Sequence, residues 1–169
     1  MSVREKLIKE SASSYLIQMI YIEAYAYLRQ KYGSVETLNN KLKAMGRRIG
    51  RSVFKYYKPP HKSITGNVKE IIKTIAGIQN TELKKDYLEG TKDLRGFSIV
   101  FKKCPLCVEE VETEGVHYCT PTMCIMEEYI NLGLKAGYVK KDFNRVEGKV
   151  LKSVSGGDDV CEYYYKIKE

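Results

Sequence analysis

The sequence predicts an α+β fold in which N-terminal helices pack on a mostly antiparallel sheet interrupted by one long inserted helix. Three observations carry this. Apolar residues recur at steps of three and four through the first third. From about Leu83 short alternating stretches replace that rhythm. Near the end, Ser155-Gly156-Gly157-Asp158-Asp159 supplies hairpin chemistry, because tight turns between strands need positive φ. The 169 residues suit one domain over residues 1–169, with a helical part at 1–78 and a sheet-rich part at 80–167. Residues 58–66 are the best candidate boundary, but each side alone makes a meagre core.

The first helix is expected from Val3 to about Tyr32, with Ile8, Ala12, Tyr15, Leu16, Met19, Ile20, Ile22 and Ala26 on one broad face. Gly33 ends it. Ser34 caps a second helix whose apolar row is Leu38, Leu42, Met45, Ile49, Val53 and Tyr57. The other face of that helix is basic: Lys41, Lys43, Arg47, Arg48, Arg51 and Lys55. Pro59 and Pro60 stop it. Thr65 or Asn67 is expected to cap a third helix through Val68, Ile71, Ile72 and Ile75, ended by Gly77. Strands follow at Leu83–Leu88, Phe97–Lys102, Val108–Thr113 and Val116–Cys119, with a turn at Glu114-Gly115. Helical spacing returns from Met123 to Ala136, stopped by Gly137. Val146–Val154 and Val160–Ile167 form the closing hairpin. Tyr163, Tyr164 and Tyr165 on one strand must face opposite sides in turn, so at least one phenol meets solvent or a partner.

The composition is globular, with 43% hydrophobic residues. No run approaches the ~20 apolar residues of a membrane span. The opening Met1-Ser2-Val3-Arg4-Glu5-Lys6 has no apolar signal core, so a cytoplasmic protein is expected. Lysine and arginine total 29 against 21 acids, a formal charge of +8 that leaves nucleic-acid binding open.

Five cysteines stand out, four of them between Cys104 and Cys124. The spacing is Cys104-x2-Cys107, eleven residues, Cys119-x4-Cys124, then Cys161 on the last strand. Clustered cysteines without an export signal point to thiolates held for a metal rather than to disulfides. Zinc takes four tetrahedral ligands, and C-x2-C on a tight turn places two thiolates on one ion. Cys104, Cys107, Cys119, Cys124 and Cys161 are five candidates for four places, and spacing leaves open which is spare. A zinc closed by four thiolates is structural and activates no water. His117 would share a strand face with Cys119; His61 follows the two prolines in a loop.

The C-terminal half resembles the 4-vinyl reductase domain, a hydrocarbon- and small-molecule-binding family. The residues that carry the likeness are Lys103-Cys104-Pro105, then Cys124 opening a helix through Tyr129 and Gly133, then the Gly156-Gly157-Asp158-Asp159-Val160-Cys161 ending. The likeness spans about residues 80–167. That family often has a further cysteine eight residues before the last, where this chain has Ser153, so the resemblance implies a fourth ligand from Cys107 or Cys119. The family is related in fold to the transport-protein-particle (TRAPP) subunits, which dimerise through N-terminal helices. The resemblance therefore implies a TRAPP-subunit-like fold, a homodimer, and a hydrophobic pocket between helices and sheet that takes an apolar or aromatic molecule.

The candidate pocket lining is Tyr15, Met19, Tyr25, Phe54, Phe97, Ile99, Met126, Tyr129 and Ile130. No phosphate loop, nucleophile elbow, HExxH or dinucleotide fingerprint is present, so the family's reductase name does not establish an enzyme. The expected function is a sensor or carrier of a hydrophobic ligand, stabilised by structural zinc. The alternative is a zinc-ribbon-like nucleic-acid binder that uses the basic second helix. Glu109, Glu110, Glu112 and Glu114 inside the would-be ribbon count against it, because they repel phosphate.

Overall fold

The computed structural model describes residues 22–75, 81–102, 104, 107, 115–139 and 143–168. The expected first helix is present as α1 over residues 22–32; its part before residue 22 lies outside the described residues. Tyr25 is the buried side chain of α1, its ring set edge-on against Tyr118 at 5.3 Å. Gly33 takes φ +58° and turns the chain. Helix α2, Val35–Tyr56, starts as expected: the Ser34 hydroxyl accepts the Thr37 N–H at 3.3 Å.

Helix α3, Ile64–Ile75, corrects the expected cap. Ser63 does the capping, its hydroxyl accepting the Gly66 N–H at 3.0 Å. Asn67 is instead buried, and its amide accepts from the His61 N–H at 2.9 Å and donates to the His61 carbonyl at 2.6 Å. A primary amide matches a peptide's donor and acceptor at once, so Asn67 fastens the loop that follows Pro59 and Pro60.

Four strands form one antiparallel sheet: β1 Thr81–Tyr87, β2 Leu94–Phe101, β3 Arg145–Lys152 and β4 Cys161–Lys168. Their order is β1-β2-β4-β3. The β2–β4 register pairs Phe97 with Tyr165, Ile99 with Tyr163 and Phe101 with Cys161. These side chains share the inner face, where all six are buried. Tyr165 stacks on Phe97 at 5.1 Å and donates its hydroxyl to the Met123 carbonyl at 3.2 Å. Tyr164 faces the other way, as alternation requires, and donates to the Asp86 carboxylate at 2.7 Å. The Arg95 fork grips the same carboxylate at 2.9 and 3.0 Å, and holds it below its ordinary pKa.

Between β2 and β3 runs α4, Thr120–Lys135. Two expectations change here. Val108–Thr113 and Glu114 lie outside the described residues, and Val116–Cys119 is not a strand but the entry to α4. Pro121 in the first turn is the reason. Its fixed φ suits a helix start, and Thr120 N–H turns back to the His117 carbonyl at 2.9 Å. The helix therefore begins ahead of the expected Met123.

Helices α2 and α4 cross tightly. Leu38 and Leu42 are buried as expected, but the next contact positions on α2 are Gly46 and Gly50, and Ile49 is 41% exposed. A Cβ on Gly46 would come within 2.7 Å of the Cys124 Cβ, and one on Gly50 within 2.9 Å of the Glu128 Cβ. Only hydrogen fits between the two backbones.

Helix α4 also covers the outer edge of β3. Asn131 accepts from the Val146 N–H at 2.8 Å and donates to the Val146 carbonyl at 3.0 Å. One turn earlier, Glu127 accepts the Gly148 N–H at 2.7 Å while its other oxygen takes Arg47 of α2 at 3.0 Å. Four residues along a helix and two along a strand span similar lengths, ~6 Å and ~6.7 Å, which makes this match possible. An edge that could recruit another strand is thereby closed. Glu127→Ala leaves the Gly148 donor and Arg47 without their acceptor. A loss of about 2–3 kcal/mol is expected, measured as a lower midpoint in urea unfolding; an unchanged midpoint would contradict the bridging role.

Buried residues of the helical part (Leu38, Leu42, Ile64, Val68) and of the sheet-rich part (Ile99, Met126, Tyr163) belong to one hydrophobic cluster. Among the described residues no helix is long and apolar enough to cross a membrane.

Candidate functional site

Four of the five cysteines converge. Cys104 and Cys107 follow β2, Cys119 is the residue that caps α4, and Cys161 opens β4. The sulfurs of Cys104, Cys107 and Cys161 all lie within 4.8 Å of one another. Cys119 joins them through thiol contacts with Cys107 and Cys161. All four are 0–6% exposed. A tetrahedral zinc with sulfur ligands needs S···S separations of ~3.8 Å; Cys104, Cys107 and Cys161 approach this as a group of three, and Cys119 lies outside that mutual 4.8 Å group.

Each of the four sulfurs also has its own polar neighbour. Cys104 meets the Tyr163 hydroxyl at 3.8 Å, and Cys107 receives the Ser155 hydroxyl at 3.6 Å. Cys119 lies 3.4 Å from the Ser153 hydroxyl, and Cys161 accepts the Val154 N–H at 3.4 Å. Ser153 and Ser155 are themselves 2.9 Å apart. The serines and Val154 come from the 3-10 turn Val154–Gly156 and its lead-in, ahead of Gly157 at φ +90°. Ser153 stands where the 4-vinyl reductase family often has cysteine, and here it sits beside Cys119.

The electrostatics fit a thiolate site. Contacts from Cys107 and then Cys161 pull the Cys119 thiol down to about 4, against the opposing effect of burial. Cys107 is lowered too, while its neighbours Cys104, Cys107 and Cys119 raise Cys161. A group of thiols that gives up its first proton easily is suited to a cation. The donor set is all sulfur and buried, so it fits a thiophilic metal and offers no open coordination position.

Cys124 is outside this cluster. It lies in the second turn of α4 against Gly46 of α2, and burial pushes its thiol up to about 12. The cysteine that opens the helix is Cys119, because α4 starts at Thr120 and not at Met123. His117 is exposed and precedes the cluster without joining a strand; His61 is exposed as expected.

The expected pocket lining divides. Tyr15 and Met19 lie outside the described residues. Phe97 and Ile99 lie on the sheet and Met126, Tyr129 and Ile130 on α4, all in one hydrophobic cluster against which Phe54 packs. Tyr25 belongs with Tyr118 near α1. Phe54 sets its ring edge on Tyr129 at 5.7 Å, Tyr57 stacks over Tyr129 at 6.5 Å, and the Lys58 ammonium sits 4.0 Å from the Phe54 ring centre. Tyr129 is 1% exposed, and its hydroxyl has no hydrogen-bond partner among the described residues. Burial raises its pKa, so it stays a neutral phenol. Sequence reasoning missed Ser155, Tyr57 and Lys58. The Ser-x-Ser step beside the Gly-Gly turn was the available signal for the first; Tyr57 stood at the end of the expected apolar row of α2, and nothing in the periodicity marked Lys58.

The basic face of α2 is partly spent inside the fold. Arg47 pairs with Glu127 at 3.0 Å and Arg51 with Glu128 at 2.9 Å. Two of the six expected cations are thus paired with acids of α4, with their side chains 44% and 57% exposed.

No family model matches the chain, and no curated protein matches it by sequence. Among solved structures it is similar to a trafficking protein particle complex subunit 3 from Naegleria fowleri, covalently bound to palmitic acid. The identity is 23%, the TM-score is 0.66, and the match covers 94% of this chain and 97% of that one. The chain thus has the fold of a TRAPP subunit.

Proposed function

We propose that this chain is a binding module for a hydrophobic small molecule, built on the TRAPP-subunit fold and braced by a structural zinc. The observation that carries the ligand is Tyr129. A buried hydroxyl without a partner costs about 1–3 kcal/mol, and a polar group of a bound molecule would remove that cost. Its surroundings, Phe54, Tyr57 and Met126, suit an acyl chain or an aromatic ring. The palmitic acid on the structurally similar subunit supports the same ligand class. Attachment differs on this reading. All five cysteines are buried, four in the thiol cluster and Cys124 under Gly46, so the ligand is held without a thioester.

Tyr129→Phe separates ligand from packing. If the hydroxyl serves the ligand, the variant keeps its melting temperature in ligand-free form, or gains up to about 1 kcal/mol, and retains several-fold less hydrophobic material in an organic extract. Equal retention in variant and parent would refute the role of Tyr129.

The zinc reading rests on the four-sulfur cluster and its matched polar shell. Cys104, Cys107, Cys119 and Cys161 would hold the ion, and Tyr163, Ser153, Ser155 and Val154 N–H would steady the sulfurs. Bound there, zinc would supply no chemistry beyond fastening β2, α4 and β4 together. The resemblance to the 4-vinyl reductase domain supports this ligand class and this metal. Two copies pairing through the N-terminal helix complete the proposal; Tyr27, 59% exposed, and Val35, 48% exposed, are apolar groups such a contact would cover.

A further inference from the structure

Helix α4 turns three faces to the rest of the fold. Pro121, Cys124 and Glu128 meet Gly46 and Gly50 of α2. Glu127 and Asn131 hold the β3 edge. The third face is the strip Thr122, Met126 and Tyr129. Residues seven apart return to within ~20° around a helix, and the residue four along falls on the same side. Thr122 is 6% exposed, and Met126 and Tyr129 are 1% exposed. The strip is apolar in its middle and carries a hydroxyl at each end.

Neither hydroxyl has a hydrogen-bond partner among the described residues. A helical threonine can turn its hydroxyl back to a carbonyl of the preceding turn, and Thr122 does not. By contrast, the buried Tyr165 donates to the Met123 carbonyl, and Ser153 meets Ser155. Two such groups on one helix face are two hydrogen-bonding points for one elongated molecule. Their Cα atoms lie about two turns apart, ~10 Å along the axis. A cation stands near the Tyr129 end: that ring meets Phe54 at 5.7 Å, and the Lys58 ammonium sits 4.0 Å from the Phe54 ring centre.

We infer that the ligand is an oxygenated acyl chain, with its carboxylate at Tyr129 and Lys58 and a hydroxyl farther along the chain at Thr122. The inference rests on the hydrophobic-ligand reading and narrows it to one chemical class. The Tyr129 hydroxyl donates to the carboxylate, the Thr122 hydroxyl shares a hydrogen bond with the chain hydroxyl, and Met126 lies against the methylenes between them. An apolar cavity penalises a hydroxyl on its ligand, because that group leaves water without gaining a partner. A hydroxyl already waiting at Thr122 reverses the order, so this site prefers the hydroxylated chain.

Decanoic acid and 10-hydroxydecanoic acid are the probes, equal in chain length and different by one oxygen. Each is titrated by calorimetry into the whole chain after treatment with a lipid-adsorbing resin. The parent is expected to bind the hydroxy acid about tenfold more tightly. Thr122→Val keeps the shape and removes the hydroxyl. It is expected to keep the parent's ligand-free melting temperature and to favour decanoic acid instead. Lys58→Gln is expected to weaken both acids about threefold or more. Equal or tighter binding of decanoic acid by the parent overturns the inference and leaves the hydrophobic-ligand reading standing. So does a preference that survives Thr122→Val, or a lower ligand-free melting temperature in that variant, since the hydroxyl would then be spent inside the fold. Failure of both acids to bind overturns the hydrophobic-ligand reading and this inference with it.

Discussion

If zinc occupies the thiol cluster as proposed, Cys161→Ser is expected to release it and lower the stability by about 3–5 kcal/mol, a fall in melting temperature of roughly 10 °C for a chain of this length. The size follows from position. Cys161 opens β4, faces Phe101 across the β2–β4 ladder, and is 0% exposed. Its sulfur is within 4.8 Å of Cys104 and Cys107. On the zinc proposal, replacing it leaves three thiolates around an ion that needs four. Cys124→Ser is the internal control. Cys124 packs against Gly46, outside the cluster, so that variant should keep its metal and lose only about 1–2 kcal/mol from burying a hydroxyl. Metal content by mass spectrometry and thermal unfolding read both. Metal retained in Cys161→Ser but lost in Cys124→Ser would mean that the ligands are Cys104, Cys107, Cys119 and Cys124, and would return the zinc-ribbon reading.

Gly46→Ala should destabilise the protein by about 2–4 kcal/mol, although alanine is the better helix former by about 1 kcal/mol. The new methyl would lie 2.7 Å from the Cys124 Cβ and against the backbone of Pro121, neither of which is a flexible end that can swing away. The helices must separate. That disturbs the Arg47–Glu127 and Arg51–Glu128 pairs and the Glu127 grip on β3 together. Ile49→Ala, on the exposed side of the same helix, should change stability by less than about 1 kcal/mol. Equal urea midpoints for the parent and Gly46→Ala would show that the crossing is looser than the distances indicate.

The legible parts of the fold were those with local causes. Ser34 caps α2 because its own hydroxyl reaches Thr37, and the Gly156-Gly157 turn closes β3 onto β4 because the chain needs φ +90° there. The alternation of Tyr163, Tyr164 and Tyr165 is fixed by strand geometry alone. The parts that were not legible depend on close approach of distant segments. Hydrophobic periodicity counts bulk, so it selected Ile49 for the core and passed over Gly46 and Gly50, which α4 requires to be small. Val116, Tyr118 and their neighbours have strand-forming side chains, yet Pro121 sets the local backbone and makes the segment a helix entry. For the metal candidate, spacing named all five cysteines but could not remove Cys124. Its exclusion comes from the helix starting at Thr120, which aims Cys119 at the cluster and places Cys124 under α2.

The most direct test of the account is native mass spectrometry of the whole chain purified without added metal or lipid, followed by denaturation and organic extraction. The account predicts one zinc per chain, a dimer mass, and a fatty-acyl or aromatic molecule released without cleavage of a thioester. A monomer that contains no metal and releases nothing to organic solvent would contradict it.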